Sequence, residues 1–392
     1  MDHDSLIAYS RDEHGINFFA RYRHAMATKL SLSLVSKSWH TFIAEFLYEH
    51  VVIRNGEQAT QFKDAIGRGK PHSTHRGCGF WTSRIDLALE DVHLWEDDHT
   101  NSLCSLLQDC PNLVTFSTAH CVAEAYLFYP DTFMKALVPL ANLKKLKRLE
   151  LRGEIPFLTS IVSQVSDVEV LWLLPPLKML RESKASSLYL PRLRTLITDF
   201  RNSKFTLDWG LPSLQYYSTT DIVHLTQHLS AWGTSLQYLS VPRVALIVPA
   251  LSLCPNLTEL SLNFEGVIFV PFDRAPTQHH LKRITIEGCP DFSRPVSWYN
   301  QANSLSIDYL RISLLTLASE TTFPVLERIR LVLPFNWAPY EDEPPACFVS
   351  VWDFWLEACS WRGIQVEASV GASDHTANIW RPFSSDLLLR TV

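Results

Sequence analysis

Residues 254–263 read CPNLTELSLN, and within them Leu257, Leu260 and Leu262 stand at the spacing apolar-x-x-apolar-x-apolar. Residues 110–118, CPNLVTFST, place Leu113, Phe116 and Thr118 at the same steps. In an extended chain successive side chains point to opposite faces, so the last two positions of such a triplet share one face and the residue between them takes the other. A short strand with one dry face is the reading of each stretch. The rest of the chain decides whether the two are isolated strands or copies of one unit.

They are copies. Working outward, the triplet returns as Leu236-Leu239-Val241, Leu214-Tyr217-Thr219, Leu193-Leu196-Thr198, Val168-Leu171-Leu173 and Leu146-Leu149-Leu151. Leu89-Val92-Leu94 opens the series; Leu281-Ile284-Ile286, Ile307-Leu310-Ile312, Leu326-Ile329-Leu331 and Trp361-Ile364-Val366 close it. Most intervals between first positions are roughly 19 to 26 residues, and the two that end at Leu146 and Trp361 are longer and leave room for insertions. One match means little in an apolar α/β chain, but about a dozen at near-constant spacing mark a structural period. Apolar residues at helical spacing, such as Phe133, Leu137 and Leu140, precede many triplets. Strand, turn and helix then form one unit that cannot cover its own apolar side, and stacking the units makes a continuous core.

The segments CPNLVTFSTAHC (110–121) and CPNLTELSLNF (254–264) resemble cysteine-containing leucine-rich repeats. That resemblance implies an α/β leucine-rich-repeat solenoid, a curved parallel sheet with helices outside, and a Cys or Asn seated in the turn after each triplet. Cys121 and Cys289 stand at that step; Glu154, Arg201 or Glu265 stand there in other copies, so the repeats are degenerate. The expected organisation is an irregular segment at 1–29, a helical segment at 28–53, a linker and first repeat entry at 54–84, the degenerate solenoid at 85–370, and a C-terminal tail or cap at 371–392.

The helical segment departs from the repeat pattern. Leu32, Val35, Trp39 and Phe42 follow helical spacing, Phe46 and Leu47 extend the stripe, and Val51, Val52 and Ile53 read as a short β-type run. Leu30, Leu32, Val35, Trp39 and the Leu47-Tyr48 pair match the C-terminal half of an F-box. LSLVSKSW (32–39) followed by LYEHVVI (47–53) looks most like F-box proteins of mushroom-forming fungi, which carry degenerate leucine-rich repeats behind the box. WLEACSWRGIQVEAS (355–369) is similar to the last helix and strand of those proteins. One departure is clear: an F-box opens with Leu-Pro-x-Glu and an apolar helix, whereas residues 1–29 contain no proline and only Ile16, Phe18 and Phe19 as an apolar cluster.

The resemblance implies docking to a Skp-type adaptor of a cullin–RING ubiquitin ligase, with Leu32, Leu34, Val35, Trp39 and Phe42 as the adaptor-binding side chains and the repeats holding a protein target. The chain is then expected as a monomer within a complex, cytoplasmic or nuclear, that supplies binding while other subunits supply chemistry. The alternatives are a free-standing repeat scaffold with a decayed box, in which Trp39 is core, and an enzyme on a repeat-like frame, which would need a deep pocket of convergent polar groups.

Composition narrows the field. The formal charge is −6 with no dense Lys/Arg tract, which speaks against nucleic acid. No run of about 18 uncharged apolar residues suggests a membrane span, and the polar, acidic start MDHDSLIAYSRDEHG does not read as a secretory signal. The eight cysteines form no CxxC pair and are expected to stay reduced, most as small buried hydrophobes. His72, His75 and Cys78 have the most metal-like spacing, yet no second ligand pair follows, so no metal, cofactor or catalytic residue is expected. No phosphate loop, nucleophile elbow or HExxH helix occurs. Asn256-Leu257-Thr258 is a glycosylation sequon lying inside a repeat, and His279-His280 precedes a repeat strand as a loop or capping pair. The Pro- and acid-rich stretch 335–345 interrupts the repeats; it reads as a solvated insertion, with Trp337 and Tyr340 as possible target contacts.

Overall fold

The structure is a computed structural model. It describes residues 16–68, 78–89, 95–121, 131–153, 155–174, 187–199, 208–220, 223–241, 247–263, 275–287, 312, 314–333, 346–370 and 381–382. It is a mixed α/β fold of parallel strands and helices, dividing into one compact unit over Glu13–Leu214 and another built on Gln215–Val392.

In the first unit, α1 (Ile16–Ser33) and α2 (Lys37–Glu49) lead into β1 (His50–Ile53). The chain continues through α3 (Gly56–Arg68), β2 (Arg84–Leu87), α4 (Asp97–Gln108), β3 (Thr115–Ser117), α5 (Asp131–Ala136) and β4 (Arg148–Arg152). Then follow α6 (Ile155–Val162), β5 (Val170–Leu174), β6 (Leu188–Tyr189), β7 (Thr195–Thr198) and β8 (Trp209–Gly210). Strands β1, β2, β3, β4, β5 and β7 pair in that order, all parallel, while β6 and β8 form a separate short parallel pair. Parallel neighbours require a crossover, and α3 through α6 supply it in turn.

Register turns the repeated triplets into rows. Val51, Ile85, Phe116, Leu149, Leu171 and Leu196 are aligned across the six strands, and every one is fully buried. Ile53, Leu87, Leu151 and Leu173 form a second buried row two residues on. Each such side chain contributes about 1.5–3 kcal/mol of burial, and the helices close the core from their own apolar faces: Leu103, Leu106 and Leu107 of α4 are fully buried at i, i+3 and i+4.

The second unit contains β9 (Tyr216–Thr219), α7 (Leu225–Trp232), β10 (Tyr238–Val241), α8 (Ile247–Leu253), β11 (Glu259–Asn263) and β12 (Arg283–Glu287). It ends with β13 (Arg328–Leu333), α9 (Ala346–Trp361), β14 (Gln365–Val370) and β15 (Arg381–Pro382). Strands β9 to β14 are consecutive and parallel, and β15 pairs antiparallel with β14. Tyr217, Leu239, Leu260, Ile284 and Ile329 form the buried row, with Val241, Leu262, Ile286, Leu331 and Ala368 in the next.

The turns that enter five of the strands share one construction. The backbone N–H of the first triplet position donates to the carbonyl three residues earlier: Leu113 to Cys110, Leu193 to Leu190, Leu214 to Leu211, Leu257 to Cys254 and Leu326 to Phe323. A proline follows the accepting residue in all five, fixing φ where such a turn needs it. In the two CPNL copies the asparagine amide donates to a carbonyl of the preceding period, Asn112 to Phe80 at 2.7 Å and Asn256 to Thr234 at 2.8 Å. Burial pushes the thiols of Cys110 and Cys254 up to about 12, and Cys121, in the turn after β3, is buried with its thiol donating to the Leu87 carbonyl. Asn256 thus has a turn-linking role.

The helix α7 packs a polar pair into the core. His228 and Trp232 are buried and stacked, with ring centroids 5.1 Å apart, and His228 Nδ1 lies 3.0 Å from the Tyr217 hydroxyl. Burial, reinforced by His224, lowers the His228 pKa from 6.5 to about 4. Between those values the unfolded chain binds a proton that the folded chain refuses, so stability falls as pH falls through this window. From pH 7.5 to 4, the denaturation midpoint is expected to drop by an amount corresponding to about 3 kcal/mol from this group. His228→Leu is expected to flatten that slope, and an unchanged slope would show that the imidazole is protonated in the folded state.

Several expectations are corrected. Residues 16–29 are helical, because no Gly or Pro interrupts the chain from Ile16 to Ser33. The linker and first repeat entry expected at 54–84 contain α3 as well as the start of β2. The β-type run expected at Val51, Val52 and Ile53 is β1, and the sheet begins there, ahead of the start expected at 85. The first triplet after it is Thr82-Ile85-Leu87, with a buried threonine at its head; the template slid past that hydroxyl to Leu89, while Val92 and Leu94 lie outside the described residues. Strand β12 pairs directly with β13; of the expected triplet Ile307-Leu310-Ile312, Ile307 and Leu310 lie outside the described residues, and Ile312 is helical and exposed. Trp361 belongs to α9 and is exposed, and the inward positions of β14 are Val366 and Ala368, two residues beyond the expected frame.

Candidate functional site

Helices α1 and α2 present an apolar surface. Ser36 caps α2, its hydroxyl accepting from the Trp39 backbone N–H at 3.2 Å. Ile43 turns inward and is buried, so Trp39, Phe42 and Phe46, at i, i+3 and i+7, face outward. Their rings touch in sequence: Trp39 meets Phe42 edge-on at 6.0 Å, and Phe42 meets Phe46 at 5.3 Å. Leu30, Leu34 and Val35 from the end of α1 and the connecting turn are also exposed, Leu34 at 85 %. Single exposed apolar residues are ordinary, but six large ones within a span of 17 positions form a patch that water does not favour.

The helix pair is anchored from its other side. Lys29 Nζ donates to the Phe46 carbonyl at 2.7 Å, the Tyr22 hydroxyl donates to the His50 carbonyl at 3.4 Å, and the Tyr22 ring stands edge-on to the His50 imidazole. Of the five residues expected from the sequence, the structure exposes Leu34, Val35, Trp39 and Phe42 together, while Leu32 is half-buried. Leu30 and Phe46 were missing from that set; each lies four residues beyond one of its members, at Leu34 and Phe42, on the same helical stripe.

A second constellation lies on the strand face opposite the core of the first unit. Arg84 grips Asp86 through two hydrogen bonds of 2.8 Å and reaches Glu150 at 3.5 Å. His50 pairs with the other side of Asp86, and Arg148 pairs with Glu150. Both carboxylates are fully buried. Burial alone would raise the Asp86 pKa, yet Arg84 and His50 hold it well below the ordinary carboxylate range. Burial lowers the pKa of His120, which sits in the same field, against the opposing pull of Asp86 and Glu150. Trp172, Leu174 and Ile197 continue this face and are buried too. The arrangement is an internally satisfied ion network, with its acceptors and donors matched to one another.

The corresponding face of the second unit combines buried tyrosines with partly exposed ion pairs. Tyr216 and Tyr238 stack in parallel at 4.0 Å. Next in the same row come Glu259 and Arg283, paired at 2.8 Å, and then Arg328, which contacts Glu367 at 3.5 Å. The neighbouring row runs Ser218, Ser240, Ser261, Thr285, Arg330 and Glu367.

Among the described residues no group of three or more His, Cys, Asp or Glu side chains could hold a metal ion, and no helix is long and apolar enough to cross a membrane. Cys78 is buried at the start of a short 3-10 turn, and burial raises its pKa; His72 and His75 lie outside the described residues, as do Trp337 and Tyr340. No family model matches this sequence, and no curated protein is similar enough to count as its relative.

Proposed function

We propose that this chain is the substrate-recognition subunit of a Skp–cullin–F-box ubiquitin ligase, in which the α1–α2 surface docks a Skp-type adaptor and the stacked strand–helix periods form a leucine-rich-repeat solenoid that holds a target protein. The observation that carries this reading is the exposed stripe of Trp39, Phe42 and Phe46 beside Leu30, Leu34 and Val35. It is the geometry of a helix face that inserts into an apolar groove, and it lies on the residues that resemble an F-box. The chain supplies affinity and placement; proton transfers and bond making belong to other subunits.

Co-purification with a Skp-type adaptor tests it. Trp39→Ala and Phe42→Ala are expected each to weaken capture by roughly 30-fold, the effect of a hot-spot side chain worth about 2 kcal/mol. Both residues are exposed, so the melting temperature is expected to stay within a few degrees of the parent. Loss of folding instead would make Trp39 a core residue. A second reading, a free-standing repeat scaffold, draws on the absence of a Leu-Pro-x-Glu opening in residues 1–29; it predicts no adaptor capture by the parent chain.

A further inference from the structure

The sheet of the first unit starts at β1, which among the described residues has a strand neighbour on one side only, β2. Backbone groups alternate from side to side along a strand. The Glu49 and Ile53 carbonyls accept from the N–H groups of Ser83 and Ala88, on the β2 side. The backbone groups of His50, Val52 and Arg54 therefore point the other way, along the edge of the sheet. Two side chains meet them there. The Tyr22 hydroxyl, from α1, donates to the His50 carbonyl at 3.4 Å and accepts from the Val52 N–H. The Gln58 side-chain oxygen, from α3, accepts from the Arg54 N–H at 2.8 Å. In a parallel ladder a residue donates to one carbonyl of its neighbour and accepts from the N–H two residues further on. The Tyr22 hydroxyl does both, so a single side-chain oxygen stands where the next strand would put its backbone. The tyrosine ring is held edge-on to the His50 imidazole at 5.0 Å, and that imidazole is paired with Asp86.

We propose that Tyr22 and Gln58 terminate the sheet, and that the occupant they keep off the β1 edge is the β1 strand of a second copy of this chain. An uncovered edge is a template for pairing, and proteins guard such edges with prolines, charges or a covering element. His50-Val51-Val52-Ile53 carries no proline, lysine, arginine or acid, and three of its four residues are β-branched, the type that pairs most readily. Its guard is the cover that α1 and α3 supply. Two copies bring the same edge to each other, and a two-fold axis pairs them antiparallel with the same groups exchanged on both sides. The inference is independent of the ligase reading, since it concerns what the first unit excludes and involves no adaptor.

Light scattering on the full chain, after size-exclusion chromatography and without adaptor, is the test. The Tyr22→Ala/Gln58→Ala double variant is expected to rise from the mass of one chain toward twice that mass as concentration increases. Adding Val52→Pro, which removes the outward N–H and leaves the β2 side intact, is expected to return it to the mass of one chain. A double variant with the parent's mass at every concentration, or association that survives Val52→Pro, would overturn the proposal. Hydrogen exchange decides the matter should the double variant fail to fold. Tyr22→Phe keeps the ring and loses one oxygen, so the Val52 amide is expected to exchange about tenfold faster, the worth of one hydrogen bond. The Val51 amide, on the β2 side, is expected to keep the parent's rate. Equal acceleration at both amides, or none at Val52, would overturn the closure of the edge by Tyr22.

Discussion

Asp86→Ala is expected to destabilise the first unit by about 3–5 kcal/mol, the cost of breaking a buried ion pair from one side. The loss is large because Asp86 is fully buried and serves two partners at once, the Arg84 guanidinium through both carboxylate oxygens and the His50 ring through one. Truncation removes both of the short hydrogen bonds that Arg84 makes to this carboxylate, and the next acid, Glu150, stands farther off at 3.5 Å. Denaturant midpoints of parent and variant at neutral pH measure the effect. Asp86→Asn is expected to recover part of it by keeping an acceptor. A change under 1 kcal/mol would mean that the face is hydrated and the network is not closed. The pH dependence has a definite sign: a carboxylate whose pKa is depressed by folding contributes stability that is present above its ordinary value and lost as acid titrates it.

Phe116→Ala is expected to cost about 3–5 kcal/mol, through lost burial and the cavity left behind. Phe116 is fully buried in the middle strands of its row, aligned with Ile85 on one side and Leu149 on the other. Val114, two residues earlier, is 39 % exposed, and Val114→Ala is expected to cost less than about 1 kcal/mol. The pair of variants tests burial: Val114 precedes β3 and is exposed while Phe116 lies inside it and is buried, so similar costs would mean that Phe116 is not packed in the core. Thermal or denaturant unfolding of the two single variants decides it.

Much of the strand framework was legible because burial imposes a period. Leu149, Leu171, Leu196, Leu239, Leu260 and Ile284 all fall on the inward positions predicted for them; polar neighbours mark Leu149, Leu260 and Ile284, whereas Leu171, between Val170 and Trp172, is placed by the repeat spacing alone. The misplacements share a cause. At β2 the head of the triplet is Thr82, a buried hydroxyl that an apolar template cannot see; at β14 it is Gly363, with a positive φ of 69° that ends the preceding helix. The template slid from each to the nearest large residue, Leu89 or Trp361. The helix α3 was missed because its composition is mostly polar, with Ala59 and Ile66 as the buried apolar side chains among its described residues.

The exposed surface on α1–α2 was legible as a stripe, but the sequence could not tell which side of α2 points inward. That depends on Ile43, one residue in a run of apolar neighbours, and on the Tyr22 and Lys29 contacts made by a helix the sequence reading left out. The closure of the β1 edge was invisible for a different reason. Tyr22 and His50 are 28 positions apart, and only the packing of α1 beside β1 brings the hydroxyl to the strand.

The asparagine bridges from Asn112 to Phe80 and from Asn256 to Thr234 reach back by one period and no further. Each bridge therefore sets the distance between two successive turns, and a residue inserted between them moves the acceptor away from its amide.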